Sequence, residues 1–388
     1  MKKKETKGNQ GRELLSRIEA KRGWEEMLRT FVECESPSHD KARLDAFGDM
    51  VATEFAKLGG VVKWHRQKSY GDVLQIDFKV ANVRGKPLLL LGHLDTVYEA
   101  GTLNDMPCRI AAGRMYGPGV FDMKAGIVMM LLAIEALREV HGKLPRPVTV
   151  LLNSDEEIGS PVSRPITEKL AMKSRVVLVL EPSSGSKGAC KTARKGVGNY
   201  HVRVTGISAH AGLDFEKGAS AINELARQIL KISGFVDLKA GTTVNAGVIR
   251  GGTRTNVVAS EAEADIDIRV MSQKEADRLD RQFRKLRSED RRCKVEVSGG
   301  LNRAPFERTA GVEKLYVQAK ELASELGFHL EETAVGGGSD GNFTAGLGIP
   351  TLDGLGAVGE GAHASHENAM LGEVPRRAAL LARLIESL

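Results

Sequence analysis

The chain has 388 residues, a length that predicts two domains, or three, at about 100–200 residues per domain. Hydrophobic residues make up 41% and charged residues 27%, the balance of an ordinary globular protein with a sizeable core. The net charge of +6 is small and only 5% of the residues are aromatic, so a nucleic-acid partner is not expected.

Cysteine usage and the N-terminus give expectations about location. The four cysteines form no C-x-x-C pair, which disfavours a thiolate zinc site or a disulfide framework. The N-terminal lysines are not followed by the apolar stretch of a signal peptide, and the longest apolar run is too short to span a bilayer. We therefore expect a cytoplasmic protein without a membrane partner.

The first half of the chain predicts an α/β domain. Residues 1–12 are basic and are expected to form a disordered tail, with helical spacing from about Glu13. After a helix over about 40–58 and two strands, the apolar run Pro87–Leu91 is typical of a strand buried on both faces of a mainly parallel sheet. Another helix and two more apolar strands follow, over 148–152 and 176–180. This alternation indicates a sheet with helices on both faces.

The pattern changes after about Lys195. Half-exposed strands and two amphipathic helices follow in the order βαββαβ up to residue 304, the split βαβ arrangement. Alternation of the first kind then resumes, ending in a helix at about 375–388. We therefore expect one α/β domain formed by 13–194 and 305–388, interrupted by a separate domain over 195–304.

Acidic and histidine residues directly follow the predicted strands. His93 comes after the strand ending at Leu91, Glu157 after the strand 148–152, and Glu181 after the strand 176–180. In open α/β sheets, ligands bind outside the carboxyl ends of the strands. We therefore expect these side chains to converge on one site.

Two more residues complete a metal-ligand set. Asp122 lies in a glycine-flanked loop before a helix, and His363 lies in a Gly-Ala-His sequence far downstream. Histidines and carboxylates without cysteine suit Zn²⁺ first, with Co²⁺ or Mn²⁺ as possible substitutes. Two ions need one bridging carboxylate and two terminal ligands each. The set fits two Zn²⁺ with Asp122 as the bridge, His93 and Glu181 on one ion, and Glu157 and His363 on the other.

Two carboxylates are left for other roles. Glu156 would stand beside the metals as a general base, and Asp95 would accept the second ring N–H of His93 and fix its tautomer. Each residue also has an ordinary structural explanation. Paired glutamates are usually a solvated face, Glu181 could cap a helix, and Asp95 could pair with a turn backbone.

Five motifs in this order resemble those of the M20 metallopeptidase family, nearest to its glutamate carboxypeptidase branch of the carboxypeptidase G2 type. They are GHLDTV at 92–97, GPGVFDMKAG at 117–126, SDEEIGS at 154–160, EPS at 181–183 and GAH at 361–363. The resemblance covers nearly all of the chain past residue 13. It implies a zinc-exopeptidase-like α/β catalytic domain with two zinc ions and the ligand roles given above. It also implies Glu156 as general acid/base and a ferredoxin-like inserted domain that acts as lid and homodimerisation surface.

The same resemblance points to residues of the inserted domain. The sequence SAHAG at 208–212 resembles the family's histidine motif, in which His210 would reach the active site of the partner subunit and polarise the scissile carbonyl; otherwise it is a turn histidine on the surface. The sequence GGGSD at 336–340 resembles the family's glycine-rich loop beside the substrate, which makes Gly338 a substrate-binding candidate.

Asn256 and Arg269 match positions that, in relatives, bind the terminal carboxylate of the substrate. Arginine suits this task because its planar fork binds a carboxylate with two hydrogen bonds. The alternative for Arg269 is an ion pair with Asp265 or Asp267 on the same strand.

The resemblance implies hydrolysis of an amide bond next to a free carboxylate, in a peptide or N-acyl amino acid, by a zinc-dependent carboxypeptidase. An N-acyl-amino-acid deacylase, of the acetylornithine deacetylase or succinyl-diaminopimelate desuccinylase type, is the alternative. Glutamate-specific relatives carry a lysine where this chain has Ala189, so the side-chain preference stays open. His366 is a fallback for His363 as ligand.

Overall fold

The computed structural model describes residues 2–81, 83 and 85–388. The chain forms two compact units. Unit 1 comprises Met1–Ala193, Arg308–Ala334 and Ser339–Leu388, and unit 2 comprises Arg194–Glu307 and Val335–Gly338. We expected the inserted domain at 195–304; the short segment 335–338, which groups with unit 2, was not expected from the sequence.

The helices are α1 Lys2–Ala20, α2 Trp24–Glu33, α3 Lys41–Lys57, α4 Ala125–His141, α5 Arg164–Lys173, α6 Ala221–Ser233, α7 Gln273–Arg284, α8 Ala310–Glu325, α9 Gly341–Gly346 and α10 Val374–Ser387. The strands are β1 Val61–His65, β2 Val73–Phe78, β3 Leu88–His93, β4 Arg109–Ala111, β5 Arg114–Tyr116, β6 Val148–Asn153, β7 Val177–Val179, β8 Cys190–Arg194, β9 Gly196–Thr205, β10 Thr243–Gly251, β11 Glu261–Val270, β12 Lys294–Arg303, β13 Glu332–Val335, β14 Thr351–Leu352, β15 Gly359–Glu360 and β16 Asn368–Met370.

Unit 1 is built around a six-stranded sheet in the order β1-β2-β6-β3-β7-β14. Strands β6, β3, β7 and β14 are mutually parallel, and β2 is antiparallel to both of its neighbours. The apolar run in β3 alternates between two cores: Leu88 and Leu90 face one hydrophobic cluster, and Leu89 and Leu91 face the other. Because both faces are covered by helices, every residue of β3 is buried, as predicted for a parallel strand.

The parallel register brings the carboxyl ends of the central strands to one edge of the sheet. His93, the last residue of β3, is aligned with Asn153, the last residue of β6. The segments that leave the sheet at this edge carry the chemically interesting residues. The fold therefore creates the converging site that the strand pattern predicted.

Unit 2 is a four-stranded antiparallel sheet in the order β10-β11-β9-β12 with the chain order βαββαβ, the ferredoxin-like arrangement. Alternate residues of β9 and β11 are buried against the two helices α6 and α7. Tyr200 stacks on Phe283 with ring centroids 3.8 Å apart, which fixes the packing of α7 on the sheet. The α/β class with an inserted βαββαβ domain is confirmed.

The N-terminal segment is described as part of α1. The expected tail at residues 1–12 overlaps this helix, which runs from Lys2, and Met1 lies outside the described residues. Leu14 and Ile18, where helical spacing was predicted, are buried in the main core. Within the part of the chain that the structure describes, no helix combines the length and apolar character needed to cross a bilayer.

Candidate metal centre

Five segments of unit 1 bring the predicted ligands together. His93 ends β3, Glu157 lies in a 3-10 turn directly after β6, and Glu181 follows β7. Asp122 lies in the turn before α4, and its peptide bond to Met123 is cis. His363 comes from the loop between β15 and β16.

Asp122 lies between the two histidines. Its Oδ1 atom is 3.1 Å from Nε2 of His93, and its Oδ2 atom is 3.5 Å from Nε2 of His363. The same ring nitrogens face one more carboxylate each: His93 Nε2 lies 3.4 Å from Glu181 Oε1, and His363 Nε2 lies 3.1 Å from Glu157 Oε2. The carboxylate of Asp122 therefore faces two separate His–Glu pairs, one on each oxygen.

Potential ligand atoms cluster within coordination reach. Ligand atoms of His93, Glu156 and Glu181 lie within 4.8 Å of one another, and so do those of His93, Asp122 and Glu157. Glu156 thus adjoins the same centre.

A buried carboxylate oxygen without a hydrogen-bond partner among the described residues also indicates that the site suits a cation. The Oε1 atom of Glu157 is buried and has no hydrogen-bond partner among the described residues, an arrangement that is costly for a carboxylate unless a further positive group binds there. The donor set of imidazoles and carboxylates is one that zinc accepts.

Burial and the histidines shape the protonation of this centre. Burial opposes ionisation of Asp122, but hydrogen bonds from His363 and His93 hold the pKa of that carboxyl well below its usual range. Burial raises the pKa of Glu157. Hydrogen bonds to Asp122 and Glu157 raise the pKa of His363. The group of carboxylates thus attracts positive charge to the two imidazoles.

Asp95 supports the centre through two sets of contacts. Its backbone carbonyl lies 2.9 Å from Nδ1 of His93, and its carboxylate lies 3.4 Å from the same atom. The carboxylate accepts the backbone N–H groups of Glu156 and Glu157 and the hydroxyl of Ser38. We expected the carboxylate to be the acceptor for His93; the shorter contact is to the carbonyl. With Nδ1 donating there, Nε2 is the nitrogen that faces the cluster.

His363 has a strained backbone. Its φ of +63° lies in the left-handed region, which costs a non-glycine residue on the order of 1–3 kcal/mol. Such strain persists where surrounding contacts over-determine it, as at functional sites. Of the two candidate histidines in this loop, His363 is the one whose ring contacts Asp122 and Glu157.

Within unit 2, His210 and Asn256 lie on adjacent segments. The backbone N–H of Ala211 donates to the carbonyl of Asn256, and both His210 and Asn256 are exposed. The Nδ1 atom of His210 accepts the N–H groups of Gly212 and Leu213, each at 3.1 Å. In the neutral ring the proton is then on Nε2, which leaves an exposed hydrogen-bond donor.

Arg269 is held by the neighbour that we gave as its structural alternative. Its guanidinium donates two hydrogen bonds to Asp267, at 3.0 and 2.9 Å, because alternate residues of β11 share one face.

Gly338 lies in a segment whose carbonyls at 337 and 338 accept from the guanidinium of Arg194. Ala189 is buried and pairs through its backbone with Ser184, so it ends a tight turn.

Two buried charged residues beside the Asp122 loop, Glu367 and Lys124, were not predicted from the sequence. Glu367 accepts backbone N–H groups of this loop, and Lys124 donates to the carbonyls of Phe31 and Cys34 at 2.9 and 2.8 Å. Burial lowers the pKa of Lys124 to about 8. The partners of both residues are backbone groups of remote segments, which no spacing or composition signal marks.

A mainly parallel, helix-covered sheet whose carboxyl edge presents two histidines across a shared carboxylate defines a metal-dependent hydrolase of the α/β class. Comparison with known proteins gives the family. The profile described as peptidase family M20/M25/M40 matches residues 89–387, and the chain belongs to this family. The family resemblance read from the motifs is confirmed, and the protein is a metallohydrolase.

The chain is similar to several characterised relatives. It is 31% identical to carboxypeptidase G2 of Pseudomonas sp. (strain RS-16) over 93% of this chain and 88% of that protein. It is 27% identical to the succinyl-diaminopimelate desuccinylase of Stenotrophomonas maltophilia (strain R551-3) over 79% and 85%. Among solved structures, an M20 family metallo-carboxypeptidase (Sso-CP2) from Sulfolobus solfataricus has the same fold, with a TM-score of 0.71, 18% identity, and coverage of 94% and 99%.

Proposed function

We propose that this protein is a dinuclear zinc carboxypeptidase that hydrolyses an amide bond next to a free carboxylate. The observation that carries the proposal is the position of Asp122, with one oxygen facing His93 and the other facing His363. The similarity to carboxypeptidase G2 supports release of a C-terminal amino acid, such as a glutamate-like one, from a peptidyl or N-acyl substrate.

In this proposal the centre would take two zinc ions, with Co²⁺ or Mn²⁺ as possible substitutes. Asp122 would serve both ions, His93 and Glu181 would hold one, and Glu157 and His363 would hold the other. The contacts of each histidine with its own glutamate support this division. When bound, the two ions lower the pKa of water toward neutrality and polarise a carbonyl oxygen.

Three residues of the chain would transfer the proton, orient a ligand and stabilise the developing charge. Glu156 adjoins the centre and lies on the turn fixed by Asp95, so its carboxylate accepts the proton of the attacking water and returns it to the leaving amine. Asp95 orients the ring of His93 through the carbonyl contact at Nδ1. His210 would supply its exposed Nε2–H to the scissile carbonyl oxygen in the active site of the partner subunit, as negative charge develops there.

We further propose that unit 2 serves as lid and substrate clamp. Arg269 and Asn256 bind the free carboxylate of the substrate, and Gly338 lies beside it. The exposed glycines Gly336 and Gly337 support an approach by a ligand, because no atom lies within 4 Å of where a Cβ would stand on either of them.

Unit 2 is also the proposed surface for homodimerisation. Strand β10 is at the edge of its sheet, and α6 packs beside it. Large apolar side chains are exposed on both elements: Leu230 on α6 is 74% exposed and Ile249 on β10 is 59% exposed. An edge strand with exposed apolar side chains is suited to pairing with a second copy.

Light scattering tests this surface. Leu230→Asp should convert a dimer into a monomer, whereas Val61→Asp, at a 56% exposed position on the edge strand of unit 1, should leave the dimer intact. A monomeric parent protein, or a dimer that survives Leu230→Asp, would contradict the proposal.

An N-acyl-amino-acid deacylase is the second candidate, supported by the similarity to succinyl-diaminopimelate desuccinylase. The two activities would use the same metal centre, so the substrate decides between them. The test is turnover of C-terminal dipeptides and N-acyl-glutamates against acetylornithine and succinyl-diaminopimelate, with zinc-loaded and cobalt-loaded protein. Highest kcat/KM on the first group supports the carboxypeptidase, and highest kcat/KM on the second group supports the deacylase.

A further inference from the structure

Glu367 is a fully buried carboxylate that accepts hydrogen bonds from three backbone N–H groups. Its Oε1 atom accepts the N–H groups of Phe121 and Asp122 at 2.8 and 3.0 Å. Its Oε2 atom accepts the N–H of Gly119 at 3.1 Å. One side chain therefore satisfies three of the backbone donors in the turn that carries Asp122.

These three hydrogen bonds position the backbone that carries Asp122, the shared carboxylate of the metal centre. Asp122 and its neighbour Met123 have non-helical backbone angles inside a helical turn. The N–H groups of Phe121 and Asp122 in this turn bind the Glu367 carboxylate. Since Asp122 must face His93 and His363 at once, a small shift of its backbone would lengthen one of those two contacts.

Glu367 also connects this turn to the loop of His363. It lies four residues after His363, and its backbone N–H donates to the carbonyl of Ala364. The hydroxyl of Tyr98 donates to the same carbonyl at 3.0 Å. Tyr98 follows β3, so the segment after His93 joins the same network.

We propose that Glu367 is a positioning residue for the metal centre, which sets the spacing between Asp122 and His363 and thereby the affinity for the metal bound between them. The inference rests on the proposed dinuclear centre. Glu367 has no contact with the reacting atoms in this proposal; it acts through the backbone of Asp122 and through the loop of His363. Partners that orient metal ligands typically change metal affinity by about 10–100-fold when removed.

The decisive variant is Glu367→Gln, which keeps the size of the side chain and one carbonyl acceptor. Its amide NH₂ would face either the N–H of Gly119 or those of Phe121 and Asp122, donor against donor. The matched control is Glu360→Gln on the neighbouring strand, where the glutamate is exposed and pairs with Arg114. Zinc content per chain is measured by equilibrium dialysis against buffered free zinc, and cobalt spectra report the coordination.

The parent and Glu360→Gln should bind two zinc ions with the same affinities. Glu367→Gln should bind one of them about 10–100-fold more weakly, with an altered cobalt spectrum, and excess zinc should restore kcat with little change in KM. Unchanged zinc affinity with only a lower melting temperature would overturn the positioning role. A parent protein that binds no zinc would instead overturn the proposed function.

If Glu367→Gln does not fold, Tyr98→Phe decides. It removes one hydroxyl from the same network and should weaken zinc binding in the same direction, by less than Glu367→Gln does. Zinc affinity equal to that of the parent would contradict the proposal.

Discussion

Asp267 is predicted to compete with the substrate for Arg269. In the free protein the guanidinium of Arg269 makes two hydrogen bonds to Asp267, through Nε and Nη2. If Arg269 binds the carboxylate of the substrate, that carboxylate must displace Asp267 or share the fork with it. Asp267→Asn should therefore lower KM, even though it removes an ion pair from the protein.

The size of the effect follows from exposure. The two side chains are 34% and 35% exposed, so water screens the pair and its worth is about 0.2–1 kcal/mol. Removing that competition should lower KM between about 1.4-fold and fivefold and leave kcat unchanged. Arg269→Met removes the charged fork itself, and should raise KM about 10–150-fold because a hydrogen bond to a charged group is worth about 1.5–3 kcal/mol.

Steady-state kinetics on a peptide with a free C-terminus, together with urea unfolding of each variant, provide the assay. Asp265→Asn is the matched control, since it lies on the same face of the strand but pairs with His201 and Arg250. If Asp267→Asn raises KM, or if Arg269→Met lowers stability without changing KM, Arg269 is a structural ion-pair partner and the substrate role is refuted.

Three further predictions concern stability. Asp72→Asn should cost about 1–3 kcal/mol at pH 7, because this buried carboxylate accepts a hydrogen bond from Lys41 at 2.8 Å. Burial opposes ionisation of Asp72, but the bond from Lys41 helps to hold the pKa of this carboxyl below its usual value. The ionised carboxylate therefore stabilises the fold above about pH 4, and this stabilisation is lost as the pH falls further. If urea unfolding at several pH values shows the stability difference between Asp72→Asn and the parent growing below pH 4, this prediction is contradicted. Phe283→Ala should destabilise unit 2 by about 3–5 kcal/mol in urea unfolding, since the ring is fully buried on Tyr200, and a loss below about 1 kcal/mol would show that the packing is wrong. If zinc binding stabilises the protein by about 4 kcal/mol, removal of zinc with EDTA should lower Tm by roughly 5–7 °C, and added zinc should restore it. An unchanged Tm would exclude a stabilising metal.

Much of the fold could be predicted because the pattern of apolar residues within a segment indicates whether one or both faces of a strand are buried. The run at Leu88–Leu91 alternates between two cores, and its end places His93 at the ligand edge. The βαββαβ order of unit 2 could likewise be predicted from alternation alone. The proximity of Asp122 and His363 followed from the motifs, because the chain between them gives no local signal of their contact.

The supporting contacts could not be predicted from the sequence. Glu367 and Lys124 bind backbone groups of segments far away in the chain, and such bonds leave no periodicity. The carbonyl of Asp95, rather than its carboxylate, makes the shorter contact with His93, and the sequence does not determine which of these two acceptors of one residue is used.

The most direct test of the dinuclear hydrolase is Glu156→Gln, measured for zinc content and for turnover on the same preparation. The account predicts that two zinc ions remain bound while kcat falls by at least about 10²–10⁴-fold, because the general base is lost and the proposed ligands are intact. Near-normal turnover with both ions bound would contradict the role of Glu156. Loss of zinc along with activity would show that Glu156 is a ligand, and the assignment of the centre would be wrong.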